Sequence, residues 1–332
     1  MHVSQVASQG SKMLSWTMLH NEGYFIKNSK ISIEECHELP YLVPYNKIQM
    51  LQHVRELTVR YCDSLVEVFE SEGGEGTRKG DVNTHYQLQN MVLYHLPKLS
   101  HIWKHDIVEV ISFQKLTKIE VYACPNLKNL LSISMARSLV QLQRIRVEDC
   151  EMMEEIITME GESIKGGNKV KTLFPKLEEL RLSYLPKLKC FCSGDYDYDI
   201  PFEVEKEFNN NEKVQISFPQ LKELWLREVP ELKCFCSGAY DYNIMMSSIK
   251  ECPNMTTFPH GNVIVSTPSL DELDWNWDVT YTLEDLNLTI YYLHNSEKYK
   301  VQTHTCDLPP RNTQLILNLD DVNFIYVVSC VG

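Results

Sequence analysis

The chain has 332 residues and carries 32 Lys and Arg against 45 Asp and Glu, a net charge of −13. That length exceeds a usual single compact domain and leaves two globular domains or one elongated repeat array. The charge repels the phosphate backbone that supplies most nucleic-acid affinity, so nucleic acid is not an expected partner. The most apolar tail, FIYVVSCV at 324–331, falls far short of the ~20 residues that span a bilayer, so no membrane contact is expected either.

Along the chain, residues 1–23 lack the basic start and apolar run of a secretion signal, and 11 cysteines is an odd number. Reduced thiols in the cytoplasm or nucleus are therefore expected, and the sequons at Asn254 and Asn287 carry no information outside a secretory route. Residues 1–28 show no clear repeat and are expected to form a degenerate first rung or a frayed start.

From residue 29 a single spacing recurs. VRELTVRYCDSLVEVF (54–69), LTKIEVYACPNLKNLL (116–131) and LQRIRVEDCEMMEEII (142–157) share L-x-x-L-x-L-x-x-C-x-x-L-x-x-L. LQNMVLYHLPKLSHIW (88–103), LEELRLSYLPKLKCF (177–191) and LKELWLREVPELKCF (221–235) fit it with Leu96, Leu185 and Val229 at the Cys position. Weaker copies lie at 31–43 and 249–258. The shorter steps from rung to rung are about 23–28 residues, the leucine-rich-repeat period.

The pattern has a local cause. In L-x-L both apolar side chains of a short strand point inward, and the following x-x-C or x-x-L turns the chain beneath it. One such unit cannot bury its apolar face, whereas stacked units share one column of side chains. The expected fold is an α/β repeat solenoid of about eight leucine-rich repeats over 29–280. It is a horseshoe with a parallel β-sheet on the concave face and irregular loops or short helices on the convex face. Insertions near 70–87, 159–173 and 193–217 are rich in Gly, Asn and charge and read as exposed loops. Leu283, Leu286, Ile290 and Leu293 stand at helical spacing, which predicts a capping helix over 281–300; residues 301–332 are unassigned.

Two near-copies, KLKCFCSGDYDYDI (187–200) and ELKCFCSGAYDYNI (231–244), place Cys190, Cys192, Cys234 and Cys236 on neighbouring rungs. Four thiolates from adjacent strands suit Zn²⁺, but structural zinc favours a gap of two to four residues within each pair, not one. Phe191 and Phe235 fall on an apolar repeat position, and the similarity extends over scaffold and loop alike, which points to a duplicated rung. Cys36, Cys62, Cys124, Cys150 and Cys252 follow the strand, where a small thiol packs beneath the sheet. No metal and no cofactor are expected.

Enzyme signatures such as H-E-x-x-H and G-x-S-x-G are absent, and the nearest approach to a phosphate loop, Gly161 to Gly166, is followed by Gly167 rather than Lys. A non-enzymatic protein with a protein partner is expected. Outward-facing residues stack into columns: Thr58, Val92, Glu120, Arg146, Arg181, Trp225; then Arg60, Tyr94, Tyr122, Glu148, Ser183, Arg227; then Tyr61, His95, Ala123, Asp149, Tyr184, Glu228. Tyr, Trp and Arg are the residue types of binding hot spots. Candidate contacts are therefore Arg146, Arg181, Tyr184, Trp225, Arg227, Tyr122 and Tyr94, with cross-strand Arg–Glu pairing as the alternative use of the same face.

The motifs at 113–130, 142–157, 174–191 and 285–290 resemble the leucine-rich-repeat region of plant coiled-coil nucleotide-binding leucine-rich-repeat immune receptors, over roughly residues 30–295. The resemblance implies a recognition module of plant defence that meets a pathogen effector, a guarded host protein or a receptor domain. The nucleotide switch of those receptors has no counterpart here. A truncated or decoy receptor regulating full-length relatives is the second expectation, and a Cys-ligated metal protein the third.

Overall fold

The computed structural model describes residues 29–44, 51–70, 86–103, 113–158, 173–192, 218–233, 236–237, 246–255, 259–260, 272–275, 278–281, 289–290 and 293. The chain divides into two contact units, 1–294 and 295–332, and every described residue belongs to the first.

Each L-x-L triplet becomes the centre of a short strand. Numbered in chain order, β1 (Lys30–Glu34), β3 (Glu56–Arg60), β5 (Asn90–Tyr94), β6 (Lys118–Tyr122), β8 (Arg144–Glu148), β10 (Glu179–Ser183), β12 (Glu223–Arg227), β14 (Met246–Lys250) and β16 (Glu272–Trp275) lie side by side in parallel. The sheet closes on β17 (Asp278–Tyr281), which runs antiparallel to β16. The register aligns like positions: Leu57, Met91, Ile119, Ile145, Leu180 and Leu224 form one inward column, and Val59, Leu93, Val121, Val147, Leu182 and Leu226 the next. All are fully buried. Each such side chain contributes roughly 1.5–3 kcal/mol, so the stacked columns form a core that no single rung could make.

The residue after each strand of this sheet from β1 to β14 turns the chain with a positive φ. Glu35, Tyr61, His95, Ala123, Asp149, Tyr184, Glu228 and Glu251 all lie between 51° and 57°. The geometry is held from rung to rung: Tyr61 N–H donates to Tyr94 C=O at 3.1 Å, His95 to Tyr122 at 2.9 Å and Tyr184 to Arg227 at 2.9 Å. The next position drops under the sheet. Cys62, Cys124, Cys150 and Cys252 are buried there, each thiol donating to the carbonyl two residues back at 3.2–3.5 Å. A tight turn then brings the next apolar residue inside, as in Leu65 N–H to Cys62 C=O and Leu127 N–H to Cys124 C=O.

The opposite side is more regular than loops or short helices alone. Its short strands β2 (Tyr41–Val43), β4 (Glu67–Phe69), β7 (Asn129–Ser132), β9 (Glu155–Thr158), β11 (Cys190–Cys192), β13 (Cys236–Ser237) and β15 (Pro259–His260) form parallel ladders β2–β4, β7–β9–β11 and β13–β15. One short helix follows, α1 (Ile133–Ser138), capped by Ser132, whose hydroxyl accepts from Met135 N–H at 3.3 Å.

Of 281–300, Tyr281 ends β17, and Thr289, Ile290 and Leu293 are helical, with Ile290 buried and Leu293 packed on the core. The remainder of that segment lies outside the described residues, as do 1–28, 301–332, the loop at 193–217 and most of 70–87 and 159–173. Among the described residues, no helix is long and apolar enough to cross a membrane.

Candidate functional site

The outward face of the ten-stranded sheet carries the candidate residues, and the register brings them together. Glu120, Arg146, Arg181 and Trp225 are consecutive partners across β6, β8, β10 and β12, and so are Tyr94, Tyr122, Glu148, Ser183 and Arg227 one position along. Tyr61, His95, Asp149 and Tyr184 border them at the positive-φ turn.

The basic half of this face is internally paired. Glu179, the first residue of β10, is 5% exposed and meets three guanidinium groups. Arg146 reaches Glu179 Oε1 through Nε at 2.7 Å and Nη2 at 2.5 Å, and Arg144 bonds the other carboxylate oxygen. Arg181 Nε lies 2.6 Å from Oε1, a charge contact poorly aligned for hydrogen bonding, while its Nη2 donates to Glu223 Oε2 at 3.1 Å. Lys118 Nζ and Arg146 Nη1 approach Glu120 Oε1 at 2.9 and 3.8 Å. Burial alone would raise the Glu179 carboxyl, but hydrogen bonds from Arg146 and Arg144 and the charges of Arg146 and Arg181 together outweigh it and hold it below its ordinary value.

Arg146 and Arg181 thus offer flat, ordered surfaces more than free charge. Arg181 lies 4.8 Å over the Trp225 ring, and Arg227 lies 5.1 Å over Tyr184 while pairing with Glu228 at 3.4 Å. Ordering a long side chain before contact removes part of the entropic cost of binding.

The other half is aromatic. Tyr61 and Tyr94 meet edge to face at 5.4 Å, Tyr94 and Tyr122 at 6.1 Å, and His95 stands 5.5 Å from Tyr61. Tyr61 is 42% and Tyr94 37% exposed, large apolar areas for a soluble surface. A hydrogen bond with Tyr94 raises the Tyr61 phenol, and burial raises that of Tyr122 against the pull of Arg146. The sequence placed Tyr61 and His95 in an outward column without choosing them as contacts. The missing signal was the positive φ, which turns these side chains toward the tyrosine strip.

Of the two cysteine pairs, the side chains of Cys190 and Cys192 are described. Cys190 and Cys192 lie in β11 opposite Glu155 and Ile157, both buried, with Phe191 between them packed edge to face on Phe218 at 5.3 Å. Burial, with Cys190 and Glu155 nearby, pushes the Cys192 thiol up to about 12. Cys234 and the side chain of Cys236 lie outside the described residues. Among the described residues no group of three or more His, Cys, Asp or Glu is arranged to hold a metal ion.

Nine parallel rungs among the described residues, a buried thiol or aliphatic side chain at the turn after each strand from β1 to β14 in this sheet, and an outward face rich in side chains define a leucine-rich-repeat solenoid. Residues 3–151 and 142–203 match the family described as plant disease resistance protein RPS2-like, leucine-rich repeats, and the chain belongs to that family. It is also 30% identical over 167 residues to the Probable disease resistance protein At4g27220 of Arabidopsis thaliana. That match covers 43% of this chain and 18% of the Arabidopsis protein, so the chain spans less than a fifth of that relative's length. No solved structure matches. The protein is thus a leucine-rich-repeat module of the plant disease resistance type.

Proposed function

We propose that the outward face of the ten-stranded sheet binds a protein partner, a pathogen effector, a guarded host protein or another receptor domain, without catalysis. The observation that carries this reading is the pre-ordered set of anchors on one face: Trp225 under Arg181, Tyr184 under Arg227, and the exposed Tyr61 and Tyr94. Rigid aromatic and Arg anchors beside near-neutral contacts are how protein interfaces concentrate their energy. A cytoplasmic or nuclear setting belongs to the same proposal, and it is supported by the described cysteines being free thiols.

Affinity capture from plant tissue and mass spectrometry would name a partner, and calorimetry with the purified pair then tests the face. Trp225→Ala and Arg181→Ala are each expected to weaken binding about tenfold or more, whereas Lys189→Ala, on the opposite side, leaves it unchanged. Equal affinity in all three variants would overturn the placement.

A further inference from the structure

The two halves of the face differ in where their cations come from. On β10 and β12 the chain lays its own guanidinium groups over Trp225 and Tyr184. Among the described residues no Lys or Arg lies over the rings of Tyr61, Tyr94 or Tyr122, which contact one another and leave Tyr61 and Tyr94 exposed.

The next rung adds negative charge. Glu148 pairs in register with Tyr122, and Asp149 follows it at the exposed turn with φ 55°. Neither carboxylate has an ion-pair partner within 4.0 Å among the described residues, because the neighbouring cations are committed elsewhere. Arg146 is drawn to Glu179 and Glu120 and to a hydrogen bond with the Tyr122 phenol, and Arg181 is drawn to Glu179 and Glu223. Burial and the adjacent Asp149 raise the Glu148 carboxyl even against the charges of Arg146 and Arg181. A partly desolvated carboxylate with no bonded cation is a cost that an incoming cation offsets.

We propose that Tyr94, Tyr122, Glu148 and Asp149 form an anchor site for an arginine or lysine side chain presented by a basic segment of a protein partner, an assignment that rests on the reading of this face as the binding surface. Two strand spacings, about 10 Å, separate the Tyr94 and Glu148 positions, so the aliphatic stem of such a side chain crosses the tyrosines and its head reaches the carboxylates. The rings attract the cation through their faces, and the carboxylates accept its N–H donors. The net charge of −13 favours approach of a basic segment and disfavours an acidic one.

The test uses the full chain and a fluorescein-labelled oligo-arginine peptide read by anisotropy, with oligo-glutamate as the opposite-charge probe. Glu148→Gln and Tyr94→Leu are each expected to weaken peptide binding about fivefold or more. Glu151→Gln removes the same charge from the neighbouring turn and is expected to change binding less than about twofold. Should Tyr94→Leu lower the melting temperature, Glu148→Gln decides. No arginine-peptide binding, or equal weakening by Glu151→Gln and Glu148→Gln, overturns the site. If it fails while Trp225→Ala still weakens the captured partner, the face stands and only the anchor falls; if both are silent, both readings fall.

Discussion

Glu179 sits under two opposing influences, and their balance sets a pH dependence. Its folded pKa is depressed, so its stabilisation is fully present above the unfolded carboxylate value of about 4.3 and is lost as pH falls through the lower folded value. Glu148 has the reverse sign: raised in the folded state, it favours folding in its protonated form and loses that contribution as pH rises through its folded value. Glu179→Gln is therefore expected to lower stability near neutral pH by about 1–3 kcal/mol and to flatten the acid limb of the urea-midpoint profile. An unchanged acid limb would mean the arginines find other partners. Ser247 offers a contrasting case. It occupies the inward column in register with Leu224 and Leu273, is 3% exposed, and its hydroxyl has no hydrogen-bond partner among the described residues. Ser247→Ala removes a buried polar group at nearly constant volume and is expected to hold or raise the urea midpoint, by up to about 1 kcal/mol.

The outward ladder was legible because L-x-L alternation fixes both the strand and its inward side, and a constant spacing to Cys fixes the register. The second ladder was not, since its members are two to four residues long and bury consecutive side chains, as in Leu42 and Val43 or Val68 and Phe69. That pattern has no period of two. β16 and β17 were missed as a final parallel rung with an antiparallel closure because the spacing to Cys breaks off after Cys252. Within the candidate site the columns could be read, and so could Arg–Glu pairing as a use of the face, but not that Glu179 alone would gather Arg144, Arg146 and Arg181, because the first strand position varies from Glu56, Glu179 and Glu223 to Asn90, Lys118 and Arg144. The positive-φ turn was invisible for another reason: no glycine marks it. Left-handed geometry costs a non-glycine residue about 1 kcal/mol, and more when it is β-branched. Ala123→Gly is accordingly expected to be neutral or mildly stabilising and Ala123→Val to cost more than about 1 kcal/mol, both by denaturant unfolding. Equal effects would show that the φ of 51° is not what limits this site.

At the scale of the whole array, each rung rests on its two neighbours, so stability is close to a sum of rung and interface contributions. Leu182→Ala in β10 is expected to cost about 2–5 kcal/mol and to raise amide exchange most in β8, β10 and β12, with β1 changed least. Uniform loss of protection would instead indicate one cooperative block. The same quasi-linear build gives the turn column a further meaning. The carboxylates Glu35, Asp149, Glu228 and Glu251, the rings of Tyr61, His95 and Tyr184, and the methyl of Ala123 all share one backbone shape. The conformation is set by main-chain bonds to the neighbouring rung, so the side chain there is a free letter in an otherwise fixed word. Duplicating a rung, as 174–200 and 218–244 record, adds another letter without rewriting the scaffold. A lineage under pressure from changing partners gains in this column a place to vary one residue at a time, with the hydrophobic columns beneath it left untouched.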